Sequence, residues 1–297
     1  MITPLHPLTG TSAEYVWALP LLPLLGFVIN GALSLGTSAH IGPADPSAPH
    51  ADSPPHDPEE VAGGGDHGHG PRFGWLVSIV GPLVVALAFA LGLAIFFDVA
   101  RLAPETPFVQ TYFPWMPVGD LQINAAFQVD QLSVLMVLII TGVGTLIHIF
   151  SVGYMRDYPG YARYFAYLNL FVFFMLVLVL GANYPILFIG WEGVGLCSYL
   201  LIGFWFSETV NADAGKKAFI VNRIGDFGFL MAMFLLFANL RTLDYAGVAE
   251  GALAFKAGGA LVTTICLFLF LACTGKSAQI PLYVWLQIGR ASCRERV

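Results

Sequence analysis

Seven long apolar runs constrain this chain more than any other feature. They are Tyr15–Gly36, Trp75–Phe97, Gln131–Gly153, Tyr164–Gly181, Pro185–Phe206, Ala218–Leu240 and Ala260–Leu286. A bilayer core of roughly 30 Å takes about 20 residues of helix to cross. The runs are too long for β-barrel strands and lack a period of two. Composition agrees: 57% of the 297 residues are hydrophobic and 11% charged, against about 45–50% and 25% in a soluble domain. The expected fold class is therefore an all-α integral membrane protein, a polytopic bundle of about seven transmembrane helices. A formal charge of −6 excludes a basic nucleic-acid surface. Four cysteines without a CxxC spacing carry no metal or disulfide signature.

Between the runs the chain divides readily. Residues 1–36 read as an N-terminal transmembrane helix. It is not a signal peptide, because no Lys or Arg precedes Arg72 and no small-residue cleavage site stands out. Residues 37–74 form an insertion rich in Pro, Gly and Ala, with five of the seven histidines and six acids against the single base Arg72. It is expected to be disordered, since it has too little apolar surface to order itself. His67 and His69 with His50 and His56 offer a metal-binding alternative. No closed ligand set with fixed spacing is visible, so no metal site is expected. Residues 75–153 read as two transmembrane helices joined by an extramembrane connection. Only Ala182, Asn183 and Tyr184 separate the fourth and fifth spans, which makes those helices antiparallel neighbours. The last ten residues, Ile288 to Val297, are polar and Arg-rich and interrupt an apolar span. They look like the translated reading frame of a sequencing adaptor. The tail 287–297 is set aside as an artefact, and the natural chain is expected to continue past Leu286. Alternating loops place Arg72, Arg156, Arg163, Lys216 and Lys217 on one side and Arg101, Arg241 and Lys256 on the other. The excess favours the first set as cytoplasmic and the N-terminus outside.

Charges inside the spans are the functional candidates, because each costs about 2.5–3.5 kcal/mol at mid-membrane on the insertion scale. Glu192 lies seven residues past Pro185, about 10 Å into its span at 1.5 Å per residue. Gly190, Gly193 and Gly195 around it allow a neighbouring helix to come close. Lys276 lies sixteen residues past Ala260. Burial disfavours its ammonium form and a nearby carboxylate favours it, so a carboxylate that moves can toggle the proton. Pro281 follows five residues later and removes the hydrogen bond to the carbonyl of Ser277, which marks a helix break. Arg223 and Asp226, three apart, share a helix face and are placed to pair. His148 is near a helix end, where it relays protons or packs. Asp130 reads as the N-cap of the third span, and Cys197, Cys266 and Cys273 read as small hydrophobes. Gly275-Lys276-Ser277 is not a phosphate-binding loop, because Phe270 stands where that motif needs Gly.

These residues resemble one family closely. FQVDQLSVLMVLIITGVGTLIHIFSVGYM (Phe127–Met155), WEGVGLCSYLLIGFW (Trp191–Trp205), NRIGDFGF (Asn222–Phe229) and GKSAQIPLYVWL (Gly275–Leu286) look like the large antiporter-like subunit of respiratory complex I, called subunit L or chain 5. The resemblance covers roughly residues 75 to 286. It implies two inverted five-helix repeats, each with one broken helix, followed by C-terminal helices that include a long lateral one. This chain would hold part of the first repeat, with residues 154–286 as a partial proton-translocating core. Glu192 falls on the family's fifth-span glutamate, Lys276 on its broken-helix lysine, and Arg223 and Asp226 on its sixth-span pair. The family expects VWLPDAM after Pro281 and usually His where Tyr283 stands; here Gln287 follows VWL.

The implied function is proton translocation through a Glu/Lys relay, coupled to quinone reduction elsewhere in a proton-pumping NADH:quinone oxidoreductase. No cofactor is expected in this chain; flavin and Fe–S clusters belong to other subunits. The expected partners are the other membrane-arm subunits, the lipid bilayer and protons. A bacterial-type inner membrane is the expected location. Two alternatives remain: the large subunit of a multi-subunit Na+/H+ antiporter, and a membrane scaffold whose buried charges only fix packing.

Overall fold

The computed structural model describes residues 6–37, 73–119, 121–156, 158, 160–256 and 258–286. The His-rich insertion, apart from its edges, and the tail 287–297 lie outside the described residues. The elements run α1 (Ala18–Thr37), α2 (Gly74–Leu102), β1 (Phe108–Val118), β2 (Leu121–Val129), α3 (Gln131–Tyr154), α4 (Tyr161–Leu180), α5 (Tyr184–Ile202), α6 (Thr209–Leu240), α7 (Tyr245–Ala252) and α8 (Ala260–Lys276). Among the described residues six helices are long and apolar enough to cross a membrane. The seventh, α8, has 17 residues and stops short of the predicted run. The protein is thus the polytopic helical membrane bundle that the apolar runs predict.

Helix starts follow local chemistry. Asp130 caps α3: its carboxylate accepts from the Ser133 amide at 2.7 Å, and the Ser133 hydroxyl accepts from the Asp130 amide at 2.8 Å. That reciprocal box satisfies two donors that a helix start otherwise leaves free. Asn183 caps α5 by accepting from the Ile186 amide at 2.9 Å, just ahead of Pro185.

The connection between α2 and α3, expected only to be extramembrane, has regular structure. It is an antiparallel hairpin whose strands pair from Phe108↔Val129 to Val118↔Leu121, with register shifts between Thr111 and Phe113 and between Pro114 and Met116. Gly119 turns the chain at φ +57°, the left-handed conformation that tight two-residue loops require. The hairpin binds one end of the bundle together. The Ala182 amide donates to the Ala126 carbonyl at 3.1 Å, and the Asn183 side chain donates to the Asn124 carbonyl at 2.9 Å. Asn183 also bridges to Asp244 beyond α6, and the Tyr184 amide donates to the Leu243 carbonyl at 3.1 Å. One fully buried asparagine therefore ties the strand, the α4–α5 turn and the α6–α7 turn.

The helices do not pack simply in sequence order: α1 lies most extensively against α4, and α6 against α8. A core of Leu19, Val84, Val85, Ala88, Val137, Val172 and Leu176 joins α1 to α4. A second, around Phe229, Met233, Ala232, Leu236, Ile265 and Ala272, joins α5, α6 and α8. Outward positions stay apolar as well: Leu83, Leu87, Leu135, Ile139, Leu146 and Phe234 are all exposed. Lipid or neighbouring helices, not water, suit such faces.

Asn183→Ala is expected to lower stability by about 1–2 kcal/mol for the lost cap, and further because the Asn124 carbonyl loses its donor. Asn183→Asp keeps the cap but not the donor and should recover only part of the loss. Thermal unfolding of the protein in detergent checks both.

Candidate functional site

The charged residues predicted from the sequence meet where α5, α6 and the end of α8 cross. The crossing of α6 and α8 is made by glycine on both sides. A Cβ on Gly275 would lie 3.2 Å from the Gly225 Cα, and one on Gly225 would lie 3.3 Å from the Gly275 Cα. Each glycine immediately precedes a charged residue, Asp226 on α6 and Lys276 on α8. The close backbone approach therefore brings those two side chains to the same level. On α5, Gly190 and Gly193 press against Leu178 and Phe174 of α4, as the glycine-rich run predicts.

Glu192 points from α5 to α6. Its Oε2 accepts from Nη1 of Arg223 at 2.5 Å. The same Nη1 lies 3.9 Å from Oδ2 of Asp226. The sequence reading paired Arg223 with Asp226 on their shared helix face; the structure keeps that pair at 3.9 Å and adds a shorter contact to Glu192 across the helices. Helical spacing shows which side chains share a face but not which neighbouring helix reaches between them. The Arg223 guanidinium also lies over the Phe219 ring, 4.8 Å from its centroid. The Arg223 side chain is half exposed while Asp226 is 3% exposed.

Asp226 has a second partner. The Trp191 indole donates to its Oδ1 at 2.6 Å. The face of that indole receives Lys276, whose Nζ is 5.4 Å from the ring centroid. Lys276 otherwise lies against Gly195, where a Cβ would stand 2.6 Å from Nζ. Buried Nζ of Lys276, Oε1 of Glu192 and Oδ1 of Asn222 have no hydrogen-bond partner among the described residues.

Lys276 is the last residue of α8, so the break comes earlier than Pro281 requires. Ala278 takes a left-handed conformation at φ +49°. The Gln279 amide donates to the Thr274 carbonyl at 2.9 Å and the Ala278 amide to the Gly275 carbonyl at 3.4 Å. This pair of backward bonds closes a helix whose cap, Ser277, is followed by the left-handed Ala278. Pro281 is not what ends the helix; it falls in a segment that has already turned away. The Trp285 indole then donates to the Gly275 carbonyl at 3.0 Å, adding a bond beside Lys276.

His148 is elsewhere. It is fully buried on α3, with Nδ1 on the Gly144 carbonyl at 2.7 Å and Nε2 on the Asn169 side chain of α4 at 2.9 Å. None of these contacts is with the cluster around Glu192. The sequence reading missed Trp191, Asn222 and Trp285 as members of the site. Trp191 precedes Glu192 and Asn222 precedes Arg223, so adjacency to a buried charge was the available signal. Among the described residues no group of His, Cys, Asp and Glu is arranged to hold a metal ion.

Comparison with known proteins points the same way. The family described as NADH-ubiquinone oxidoreductase (complex I), chain 5 N-terminus, matches residues 115–165. The family described as NADH:quinone oxidoreductase/Mrp antiporter, TM, matches residues 181–288, which include every member of the cluster. NADH-quinone oxidoreductase subunit L of Mycobacterium tuberculosis is 48% identical over 209 residues, covering 70% of this chain and 33% of that protein. Subunit L of Escherichia coli is 45% identical over 183 residues, covering 61% and 30%. NADH-ubiquinone oxidoreductase chain 5 of Allomyces macrogynus is 39% identical over 208 residues, covering 70% and 32%. The chain thus spans about a third of the length of these relatives. A solved Mrp complex from a Dietzia species shares the fold at a TM-score of 0.63 and 21% identity, over 91% of this chain and 25% of that one.

The seat of Lys276 yields a direct expectation. Gly195→Ala places a methyl group 2.6 Å from Nζ and must displace the amine, the far end of a flexible side chain. Folding should be near normal, and a structure of the variant should show Nζ moved off the Trp191 ring, more than about 6 Å from its centroid.

Proposed function

The chain belongs to the chain 5 (subunit L) family of antiporter-like complex I membrane subunits, and we propose that it carries part of a proton path built on Glu192 and Lys276. The observation that carries this reading is how the charges are partnered. A structural ion pair would join glutamate and lysine directly and satisfy both. Here Arg223 takes Glu192, the indole of Trp191 faces Lys276, and a buried atom of each is left unpaired. Leaving buried polar groups unsatisfied is unfavourable by about 1–3 kcal/mol each, more when charged. Such an arrangement serves a site whose protons move better than one that only holds helices together.

In this reading Glu192 holds a proton or releases it to Lys276, and Arg223 sets the balance. At an effective dielectric of about 20, unit charges 4 Å apart interact by roughly 4 kcal/mol. That corresponds to about three pKa units at ~1.36 kcal/mol each; screening lowers it for a half-exposed guanidinium. A shift of Arg223 between Glu192 and Asp226 is therefore large enough to decide where a proton resides. His148 joins as an outlying buried relay group on α3.

The enzymatic role is that of a subunit of NADH:quinone oxidoreductase. Hydride and electron transfer, with flavin and Fe–S clusters, belong to other subunits in this reading. The partners are the other membrane-arm subunits, in a bacterial-type inner membrane. The relatives at 39–48% identity are named as NADH:quinone oxidoreductase subunits, which favours this reading over a Na+/H+ antiporter.

In the full-length protein within its assembled complex, Glu192→Gln should lower proton pumping and coupled quinone reduction by an order of magnitude or more, with assembly retained. The amide has nearly the same shape and cannot carry the charge. Lys276→Arg, which stays protonated, and Lys276→Met, which cannot be protonated, should both impair pumping. Full pumping by Lys276→Arg would reduce Lys276 to a structural cation. Proton uptake by reconstituted vesicles measures all three.

A further inference from the structure

We infer that Trp191 is a positioning residue of the relay, whose indole N–H, by engaging Asp226, keeps Arg223 on Glu192. The inference rests on the proton-path reading above and adds a residue to it. Two carboxylates compete for one nitrogen: Nη1 of Arg223 is 2.5 Å from Glu192 and 3.9 Å from Asp226. Asp226 is on the same helix as Arg223 and is the more buried of the two, so proximity and local dielectric both favour it as the partner. It is nonetheless the distant one. What sets it apart is the 2.6 Å hydrogen bond from Trp191 to its Oδ1. A charge-assisted bond of that length satisfies part of the carboxylate's demand for donors and fixes its orientation.

The ring of the same residue has a separate task. Lys276 is the other cation within reach of Asp226, and its Nζ meets the indole face. A cation over an indole face is held more weakly than one on a carboxylate, yet it is held. Trp191 therefore engages both the buried aspartate, through its N–H, and the buried lysine, through its ring face. Packing alone does not require this residue to be tryptophan. Its ring lies 5.7 Å, centroid to centroid, from that of Phe229, a contact that a phenylalanine can largely reproduce.

The test is Trp191→Phe in the full-length protein in its assembled complex. The variant keeps a smaller aromatic ring for Phe229 and Lys276 and removes the N–H. Proton pumping should fall roughly ten-fold, the size expected for a lost hydrogen bond to a charged group, while the amount of assembled complex is unchanged. A structure of the variant should show Arg223 within about 3 Å of Asp226 and withdrawn from Glu192. Arg223 still on Glu192, or undiminished pumping, overturns the inference. Should Trp191→Phe fail to assemble, the double variant Trp191→Phe/Asp226→Asn removes the carboxylate that lacks its donor. Restored assembly of the double variant supports the inference, and continued failure makes Trp191 a packing residue and overturns it. Normal pumping by Glu192→Gln and Lys276→Met would sink the proton path itself. Loss of pumping in those two, with full pumping in Trp191→Phe, would sink the role of Trp191 alone.

Discussion

The contact of the Gly225 backbone with that of Gly275 is what the rest of the site depends on. Two helices with side chains at their crossing usually lie 8–10 Å apart. Glycine on both partners lets α6 and α8 come closer, and the residue after each glycine is charged. The geometry of the cluster follows from that approach. Asp226 and Lys276 come to one level, α5 supplies Glu192 and Trp191 from the side, and Gly195 leaves room for the amine. A membrane provides no hydrophobic force between helices, so this close packing must itself supply much of the attraction.

Much of the fold was legible from hydropathy and length. The constraint is severe, since backbone groups in lipid must be satisfied within the segment, and six of the seven runs appear as spanning helices. The cap at Asp130 and the charged residues at membrane depth were legible for the same reason: each is costly without a specific partner. The hairpin was not read. Its first strand contains Pro114 and Pro117 and two register shifts, so it lacks the regular alternation that identifies a strand. The Val118-Gly119-Asp120-Leu121 turn was the usable signal. The break beside Lys276 was legible, but its cause was not: the helix is closed by Ala278, a residue with no sequence preference for a left-handed turn, and Pro281 falls after it.

The pairing inside the site was less legible still. Three-residue spacing gave Arg223 and Asp226 a common face and nothing about Glu192, which reaches them from another helix 31 positions away. Partner choice depends on distances between helices, and these are set by the glycine contacts. Trp191 was harder to read for a different reason, although its place beside Glu192 was a signal. Tryptophan at a helix position in a membrane span reads as apolar bulk, and only the geometry reveals that its N–H has found a carboxylate.

The bond from Trp285 to the Gly275 carbonyl makes the break a coupling rather than a gap. The segment after the turn grips α8 at the residue next to Lys276, ten positions back in sequence. Displacement of that segment would strain or part a bond on the carbonyl beside Lys276 and leave it the longer donation from the Ala278 amide. The lysine's seat is thus tied to a stretch of chain ten residues further on.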